Sequence, residues 1–319
     1  VGLLTPNPRI DGVALALYYE RPDQGMTFDT MVDEIADLGA SHISVLVQWG
    51  QRDTRSVRIQ PHPKETPSDA LVRRVIQRAH KRGLKVMLFP ILWVEQRAIG
   101  DWRGTLKPER PDEWWGAYHQ FILHYADLAQ SLGTEIFSVG SELGSLEGQT
   151  DRWRALIRKV RSRFKGQLIY SANWDHYDHV TFWDAVDLIG MTAYYRLTTK
   201  LAPTQEELTD AWRKIRVQVL DWHQTQSKPL VFTELGYPSV DGAARSPWDY
   251  TNGGAQDHEE QAMCFEAFRS VWYTEPRLGG VFFWNWWGPS DGNNTWYTLK
   301  GKPALDVVKS WLRPKAKRE

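Results

Sequence analysis

The sequence predicts a single (β/α)8 barrel, an α/β fold in which eight parallel strands alternate with helices. Three observations lead to this prediction. Eight apolar runs are typical of strands covered on both faces, and segments of helical period lie between them. No Gly/Ser-rich linker or change of composition divides the 319 residues. We therefore expect one domain over 1–319, with its core at about 12–312 and a short basic tail at 313–319.

The predicted strands are mostly continuous apolar runs without strict alternation, as expected of parallel strands buried between a barrel interior and a helical layer. In chain order they are Gly12–Leu17, Ile43–Trp49, Leu84–Leu92, Thr134–Gly140, Leu168–Trp174, Asp187–Ala193, Pro229–Glu234 and Gly279–Trp286.

The predicted helices carry apolar residues at a period of about 3.6, and several have recognisable ends. Thr27 and Ser68 are N-cap residues, and Pro111 is suited to a first turn. Gly83 and Gly133 follow helices, where a left-handed residue is expected. In chain order the helices are Phe28–Leu38, Ser68–Arg82, Asp112–Leu132, Asp151–Phe164, Gln205–Gln226, Asp257–Trp272 and Pro303–Leu312.

The fifth strand–helix unit is the weakest, because only 12 residues separate Trp174 from Asp187. Its helix must be short, one or two turns around Val180–Ala185. The alternative fold is a doubly wound open sheet. It is disfavoured because no Gly-rich phosphate loop follows an early strand.

Composition excludes several classes of protein. Lys+Arg and Asp+Glu both number 39, so the chain lacks the net positive charge that is typical of nucleic-acid binding. The single cysteine, Cys264, rules out an intramolecular disulfide and metal sites built from several cysteines. No apolar run reaches the length of a membrane span. The cellular compartment is not determined by the sequence. A secreted or periplasmic protein is expected over a cytoplasmic one, because the sequence begins at Val1 and not at Met.

Two predicted strands end at a glutamate. The segment S-V-G-S-E-L contains Glu142 after the fourth strand, and L-V-F-T-E-L-G-Y contains Glu234 at the end of the seventh. The carboxyl ends of barrel strands meet at one face, so these side chains are expected to converge. A matched proton donor and nucleophile is what glycoside hydrolysis requires. The alternative is that each glutamate only caps a strand or pairs with an arginine.

Aromatic and hydrogen-bonding residues follow the other strands. The chain has 17 tryptophans, and an indole offers a flat apolar face and an N–H donor that suit a sugar ring. The segment Asp175–His179 (D-H-Y-D-H) is a possible set of metal ligands, but no partner motif accompanies it, so neither metal nor cofactor is expected. The candidate substrate-binding residues are Gln48, Trp49, Trp93, Ser141, Asn173, Trp174, His176, Tyr194, Tyr195, Trp284 and Trp287.

Several segments resemble glycoside hydrolase family 113, within the clan A retaining hydrolases. They are G-S-E-L, S-A-N-W, F-T-E-L-G-Y-P-S-V-D-G-A-A, and F-F-W-N-W-W with the later G-K-P-A. The resemblance runs from about Gly12 to Trp311, and F-T-E-L-G-Y is its most specific part. It implies that Glu142 is the acid/base and Glu234 the nucleophile.

The resemblance also implies roles around the two glutamates. Tyr194 or Tyr195 matches the position from which a phenol often holds the nucleophile, and Trp284 matches the platform beneath the sugar. Ser141 departs from the clan, where asparagine commonly precedes the acid/base and binds the sugar 2-hydroxyl. The group at C2 of the sugar is then expected to be recognised by Ser141, by Asn173 or less tightly. Mannan, glucan and glycans of N-acetyl sugars therefore all remain candidate substrates.

The function implied by the resemblance is retaining hydrolysis of a β-linked polysaccharide or oligosaccharide, most closely of β-1,4-mannan type, by a two-glutamate double displacement. One alternative is a hydrolase or transglycosylase acting on amino-sugar glycans of the peptidoglycan or chitosan type. Another is a carbohydrate-binding barrel without catalysis. The expected partner is a carbohydrate substrate, with no nucleic acid and no membrane span, and the chain is expected to be a monomer.

Overall fold

The computed structural model describes residues 9–312, and its strands close into one parallel barrel in chain order. The predicted (β/α)8 fold is confirmed. The predicted basic tail at 313–319 lies outside the described residues. The strands are β1 Ile10–Ala16, β2 His42–Gln51, β3 Lys85–Val94, β4 Ile136–Ser141, β5 Gln167–Ala172, β6 Leu188–Thr192, β7 Leu230–Leu235 and β8 Leu278–Phe283.

The helices begin and end close to the predicted signals. The side chains of Thr27 and Ser68 each accept the backbone N–H three residues later, and Gly133 ends its helix in a left-handed conformation. The helices are α1 Phe28–Asp37, α2 Asp69–Lys81, α3 Pro111–Leu132, α4 Thr150–Arg163, α5 Gln205–His223, α6 His258–Trp272 and α7 Ala304–Leu312.

The connection between β5 and β6 corrects one expectation, because it contains two 3-10 turns and no α-helix. The turns are Tyr177–His179 and Trp183–Ala185. Aromatic side chains fill the space that a helix would take: Phe182 stacks on Trp153 of α4 at 5.0 Å, and the Trp183 indole donates to the Tyr177 carbonyl at 3.0 Å. The short segment therefore covers the barrel with rings in place of a helical face.

Two apolar layers determine which way each strand residue points. Leu46 belongs to the cluster inside the barrel, whereas Val45 and Val47 belong to the layer between strands and helices. Because successive strand residues face opposite sides, Gln48 shares the inward direction of Leu46, and Trp49 shares the outward direction of Val47.

The strands that carry the two glutamates are irregular near their carboxyl ends. The pairing of β4 with β5 shifts register between Ser138 and Ser141, and the pairing of β7 with β8 shifts between Phe232 and Leu235. A bulge changes the direction of the side chains that follow it. Simple alternation therefore does not predict where Glu142 and Glu234 point.

Many tryptophans are structural. Five of them lie in helices and are almost completely buried: Trp114, Trp153, Trp212, Trp272 and Trp311. Cys264 is buried in α6. Within residues 9–312, no helix is both long enough and apolar enough to cross a membrane.

Candidate active site

The two glutamates lie at the carboxyl ends of β4 and β7 and are nearly inaccessible, with 5% of Glu142 and 4% of Glu234 exposed. Glu142 has a φ of 56°, and among residues 9–312 it alone combines a positive φ with a side chain. Such a conformation is costly for a residue with a Cβ and is concentrated at functional sites. The backbone N–H of Glu142 donates to the Ser171 carbonyl of β5 at 2.8 Å, which anchors this turn.

Glu234 is held from one side only. The Tyr194 phenol donates to its Oε2 at 2.7 Å, whereas Oε1 is buried and has no partner among the described residues. Burial and the neighbouring Glu142 charge raise the pKa of Glu234 from 4.5 to about 7, against the opposing effects of Arg103 and of the Tyr194 hydrogen bond. One oxygen of Glu234 is thus fixed by a hydrogen bond, and the other has no hydrogen-bond partner among the described residues.

Glu142 pairs with Arg103, whose Nη2 donates to its Oε2. Arg103 lies in the 3-10 turn Arg103–Thr105, within the loop between β3 and α3. Sequence reasoning did not identify this residue. The strand-end pattern gives no signal for it, because Arg103 lies nine residues beyond the end of β3 in a loop without periodicity.

A buried network supports the loop that follows Glu142. The Tyr170 phenol accepts the Leu143 N–H at 3.1 Å and donates to Glu147 at 2.6 Å. His176 Nδ1 donates to the other Glu147 oxygen, and its ring stacks on His179 at 4.3 Å. Burial raises the pKa of Glu147, which those two hydrogen bonds oppose. His176, predicted to bind substrate, thus contacts Glu147 and supports this loop.

Two predicted polar residues lie at the carboxyl ends of β4 and β5. Ser141 Oγ is buried and has no partner among the described residues. Asn173 Oδ1 accepts from Thr192 at 3.2 Å, and its amide donates to Asp175 at 2.7 Å. Of the two, Ser141 keeps its full hydrogen-bonding capacity for a ligand.

The structure separates the two tyrosines that the sequence left open. Tyr194 contacts Glu234, whereas the Tyr195 hydroxyl points to the Met191 sulfur at 3.0 Å and its ring packs on Trp212 of α5 at 5.6 Å. The ring of Tyr195 therefore lies in the layer between strands and helices, where Trp174 also packs against it at 5.3 Å.

Trp49 does not join the predicted groove. Its ring faces outward and packs on α3, with Phe121 at 5.4 Å and His124 at 5.3 Å. The reason is the alternation of β2, which turns the neighbouring Gln48 inward and lets its amide donate to the Glu65 carbonyl at 3.1 Å.

Trp93 and Trp284 are at the mouth of the barrel. Trp93 is half-buried and meets His62 edge to face at 5.3 Å. Trp284 is half-buried and packs on the cluster inside the barrel. Gly236 is required beside it, because a Cβ there would lie 2.6 Å from the Trp284 carbonyl oxygen. The glycine of F-T-E-L-G-Y thus lets the end of β7 approach Trp284.

Two groups of exposed rings lie around this mouth. Near β1 and β8, Trp287 packs on Tyr18 and Tyr19 and stacks on Trp296 at 5.5 Å. Trp296 keeps 46% of its surface exposed, as do the two tyrosines at 41% and 44%. We call these four residues the β8-side platform. Because the other three residues cover Trp287, this predicted substrate-binding residue is almost buried.

In the second group, Trp174 after β5 stacks on Trp248 at 5.7 Å, and Trp248 is 39% exposed. We call this pair the β5-side platform. Tyr250 is 63% exposed in the same loop as Trp248. Sequence reasoning missed Trp248, Tyr250 and Trp296, because each lies in a loop that no strand-end pattern marks.

Two other clusters of charged residues do not include Glu142 or Glu234. A cavity of about 530 Å³ at the amino ends of the strands is lined by residues that include His42, Lys85 and Glu135. Active sites of such barrels lie at the opposite face. Within the described part of the chain, the carboxylates of Asp241, Asp257 and Glu260 are close enough to share a cation.

Backbone contacts account for two of those three carboxylates. Glu260 accepts the N–H groups of Gly242 and Ala244, both at 2.8 Å, and Asp257 caps α6. These bonds fasten the loop after β7. His176 and His179 of the D-H-Y-D-H segment also each contact a carboxylate of their own, Glu147 and Asp178.

Comparisons with known proteins agree with this geometry. The family model of Glycoside Hydrolase Family 113 matches residues 22–302. The GH113 β-mannanase of Alicyclobacillus acidocaldarius is 30% identical at a TM-score of 0.84, covering 95% of this chain and 97% of its own. A second GH113 β-1,4-mannanase is 25% identical at a TM-score of 0.84, covering 96% and 99%.

A Glycoside Hydrolase Family 5 mannosidase from Rhizomucor miehei shares the fold at a TM-score of 0.62 and 10% identity, covering 97% of this chain and 94% of its own. A search of curated protein sequences finds no match. The family model covers most of the chain, and both GH113 structures align over nearly its whole length. The chain is therefore a glycoside hydrolase and belongs to Glycoside Hydrolase Family 113.

Proposed function

We propose that this protein is a retaining β-mannanase in which Glu234 is the nucleophile and Glu142 the acid/base. The observation that carries the proposal is the unequal environment of the two carboxylates. Glu234 is fixed by the Tyr194 phenol through one oxygen and keeps the other free, whereas Glu142 lies on the facing strand end beside a cation.

In the first step, Oε1 of Glu234 attacks the anomeric carbon and displaces the leaving sugar. Glu142 gives its proton to the glycosidic oxygen, so that the sugar leaves as an alcohol. The Tyr194 O–H holds the other oxygen of Glu234 and keeps the attacking oxygen in position. The product is a glycosyl ester on Glu234.

In the second step, Glu142 is ionised and removes a proton from water, and the resulting oxygen attacks the same anomeric carbon. The ester bond to Glu234 breaks, and the sugar is released with its original configuration. Arg103 donates a hydrogen bond to Oε2 of Glu142 and fixes that side of the carboxyl group.

The mannan substrate is supported by the two GH113 relatives, which are described as β-mannanases. Ser141 Oγ, buried and without a partner, is the group in this chain suited to a hydroxyl next to the anomeric carbon. The two aromatic platforms support binding of several sugar rings, because indole and phenol faces stack on sugars. We infer cleavage within a chain of several sugars.

The test is a panel of β-mannan, β-glucan, xylan, chitosan and peptidoglycan, read as new reducing ends. We expect β-mannan to be cleaved best, with oligosaccharides and not single mannose units as early products. Proton NMR of a fresh digest should detect the β-anomer first, as retention requires. Preferred cleavage of chitosan or peptidoglycan would contradict the substrate, and an initial α-anomer would contradict the mechanism.

A further inference from the structure

Lys302 is a buried lysine in the G-K-P-A segment that leads into α7, and only 4% of it is exposed. Within the described residues, its amino group contacts three neutral acceptors: Ser239 Oγ at 2.9 Å, Asn294 Oδ1 at 2.9 Å and the Trp296 carbonyl oxygen at 2.8 Å. Burying an ammonium without a carboxylate beside it is costly. Burial accordingly lowers the pKa of Lys302 from 10.5 to about 7.

The three acceptors come from two loops. Ser239 lies in the loop between β7 and α6, whereas Asn294 and Trp296 lie in the loop between β8 and α7. An ammonium has three N–H donors, and here each has an acceptor. A methionine would fill a similar volume without the cost of a buried charge, but it has no donor. The side chain of Lys302 therefore does more than fill space, because it joins these two loops at one point.

Further hydrogen bonds connect the same two loops around the amino group. The Ser239 hydroxyl donates to the Asn294 carbonyl at 2.8 Å, and the Ser239 N–H donates to the Thr295 carbonyl at 3.2 Å. Asn294 Oδ1, which accepts from Lys302, also accepts the Trp296 N–H at 3.1 Å. The main chain on both sides of Trp296 is thus fixed by groups that meet at Lys302.

Both joined loops carry an exposed tryptophan of an aromatic platform. Trp296 is part of the β8-side platform, and its own carbonyl accepts from Lys302. The next residue, Tyr297, donates its phenol proton to the Pro247 carbonyl, immediately before Trp248 of the β5-side platform. Trp248 also lies in the same loop as Ser239. The hydrogen bonds of Lys302 therefore act on the segments that present both exposed indoles.

We propose that Lys302 is a positioning residue for long substrates, which joins the loops after β7 and β8 and so holds Trp296 and Trp248 ready to stack on sugar rings. The inference rests on the proposed function. A ring that is already ordered binds a sugar without the entropic cost of immobilising it. Loss of the amino group should therefore weaken the contribution of the outer sugars more than the chemistry at Glu142 and Glu234.

The activity test compares Lys302→Met with the unaltered protein about one pH unit below the pKa of Lys302, where the amino group is charged. The substrates are an aryl β-mannoside with one sugar and mannan oligosaccharides of increasing length. The increase of kcat/KM with chain length should become about tenfold smaller in Lys302→Met, the size expected when binding must order one or two rings. The kcat/KM for the aryl β-mannoside should stay within about twofold.

Lys300→Met is the matched control. Lys300 lies two residues away and is also 4% exposed, but its amino group pairs with Glu34 of α1 at 2.8 Å and not with the two loops. Its loss should lower the stability of the protein and leave the increase of kcat/KM with chain length unchanged. A purely structural role of Lys302 predicts instead that the two variants behave alike.

A second measurement needs no substrate. Hydrogen–deuterium exchange is followed by mass spectrometry in peptides covering 238–256 and 288–298, the two joined loops. Exchange in both should be faster in Lys302→Met than in Lys300→Met or the unaltered protein. Asn294→Asp keeps the acceptor for Lys302 and loses no hydrogen bond, because Asn294 Nδ2 is buried and has no partner among the described residues. This variant should keep slow exchange and the full dependence on chain length.

If Lys302→Met does not fold, Ser239→Ala removes one of the three acceptors and should change both measurements in the same direction by a smaller amount. Unchanged exchange and unchanged chain-length dependence in a folded Lys302→Met, or in Ser239→Ala, would overturn the inference. Equal effects in Lys302→Met and Lys300→Met would also overturn it. Failure of the unaltered protein to cleave β-mannan would instead refute the proposed substrate, and the exchange measurement would still decide the role of Lys302.

Discussion

Replacing Glu234 with glutamine should abolish hydrolysis and at the same time stabilise the protein at neutral and alkaline pH. Glutamine has the same shape and can still accept the Tyr194 hydrogen bond, but it puts no charge in the buried site. The pKa of Glu234 is raised from 4.5 to about 7. Each pKa unit corresponds to about 1.4 kcal/mol, so ionised Glu234 lowers the free energy of unfolding by about 3 kcal/mol.

The sign of the pH dependence follows from proton binding. Between pH 4.5 and about 7 the folded protein holds a proton on Glu234 that the unfolded chain has lost. The stability contributed by protonated Glu234 is therefore fully present below pH 4.5 and is lost as the pH rises to about 7. In Glu234→Gln this loss should be absent.

The assay is urea unfolding followed by tryptophan fluorescence at several pH values from 4 to 8, with the unfolding free energy extrapolated to zero denaturant. The difference between Glu234→Gln and the unaltered protein should be near zero at pH 4 and grow to about 3 kcal/mol at pH 8. Glu266→Gln is a control of opposite sign. Arg269 lowers the pKa of Glu266, so its removal should cost up to about 1 kcal/mol at pH 7 and less in acid.

A stability difference that stays constant with pH would refute the reasoning, because the effect would then not come from ionisation of Glu234. A variant less stable than the unaltered protein at pH 8 would do the same. Loss of hydrolysis together with gain of stability is the expected result for a charge that is kept buried for catalysis.

Further variants test the site. Glu142→Ala should still form the glycosyl ester from an aryl β-mannoside, whose phenolate leaves unprotonated, and added azide should yield a β-mannosyl azide; a β-azide formed by Glu234→Ala instead would contradict the assigned roles. Tyr194→Phe removes a bond that favours ionised Glu234, so the acid limb of kcat/KM should move to higher pH by about one to two units, given about 1.5–3 kcal/mol for such a bond. Trp284→Ala should lower kcat/KM, with a loss of about 1–3 kcal/mol of transition-state stabilisation. Trp49→Ala should instead lower the free energy of unfolding by about 3–5 kcal/mol and leave kcat/KM of the folded protein unchanged.

The sequence by itself determined the barrel, most element boundaries and the two glutamates. These depend on local regularities: an apolar run ending at Glu234, a helical period, and caps such as Thr27 that accept a nearby N–H. The short fifth unit shows the limit of that reasoning. The 12-residue spacing correctly indicated little room, but the packing of Phe182 on Trp153 decided that 3-10 turns fill it.

Only the tertiary structure decided which of two residues adjacent in the sequence faces the site. Tyr194 and Tyr195 are equally plausible partners of Glu234 in the sequence. They lie on opposite faces of one chain segment, so that Tyr194 contacts Glu234 and Tyr195 packs on α5. Trp49 lies outward for the same reason. Arg103 lies 39 positions before Glu142 and reaches it only because two loops meet over the barrel mouth. Such contacts come from the closure of the barrel, which brings distant segments together and leaves no periodic trace in the sequence.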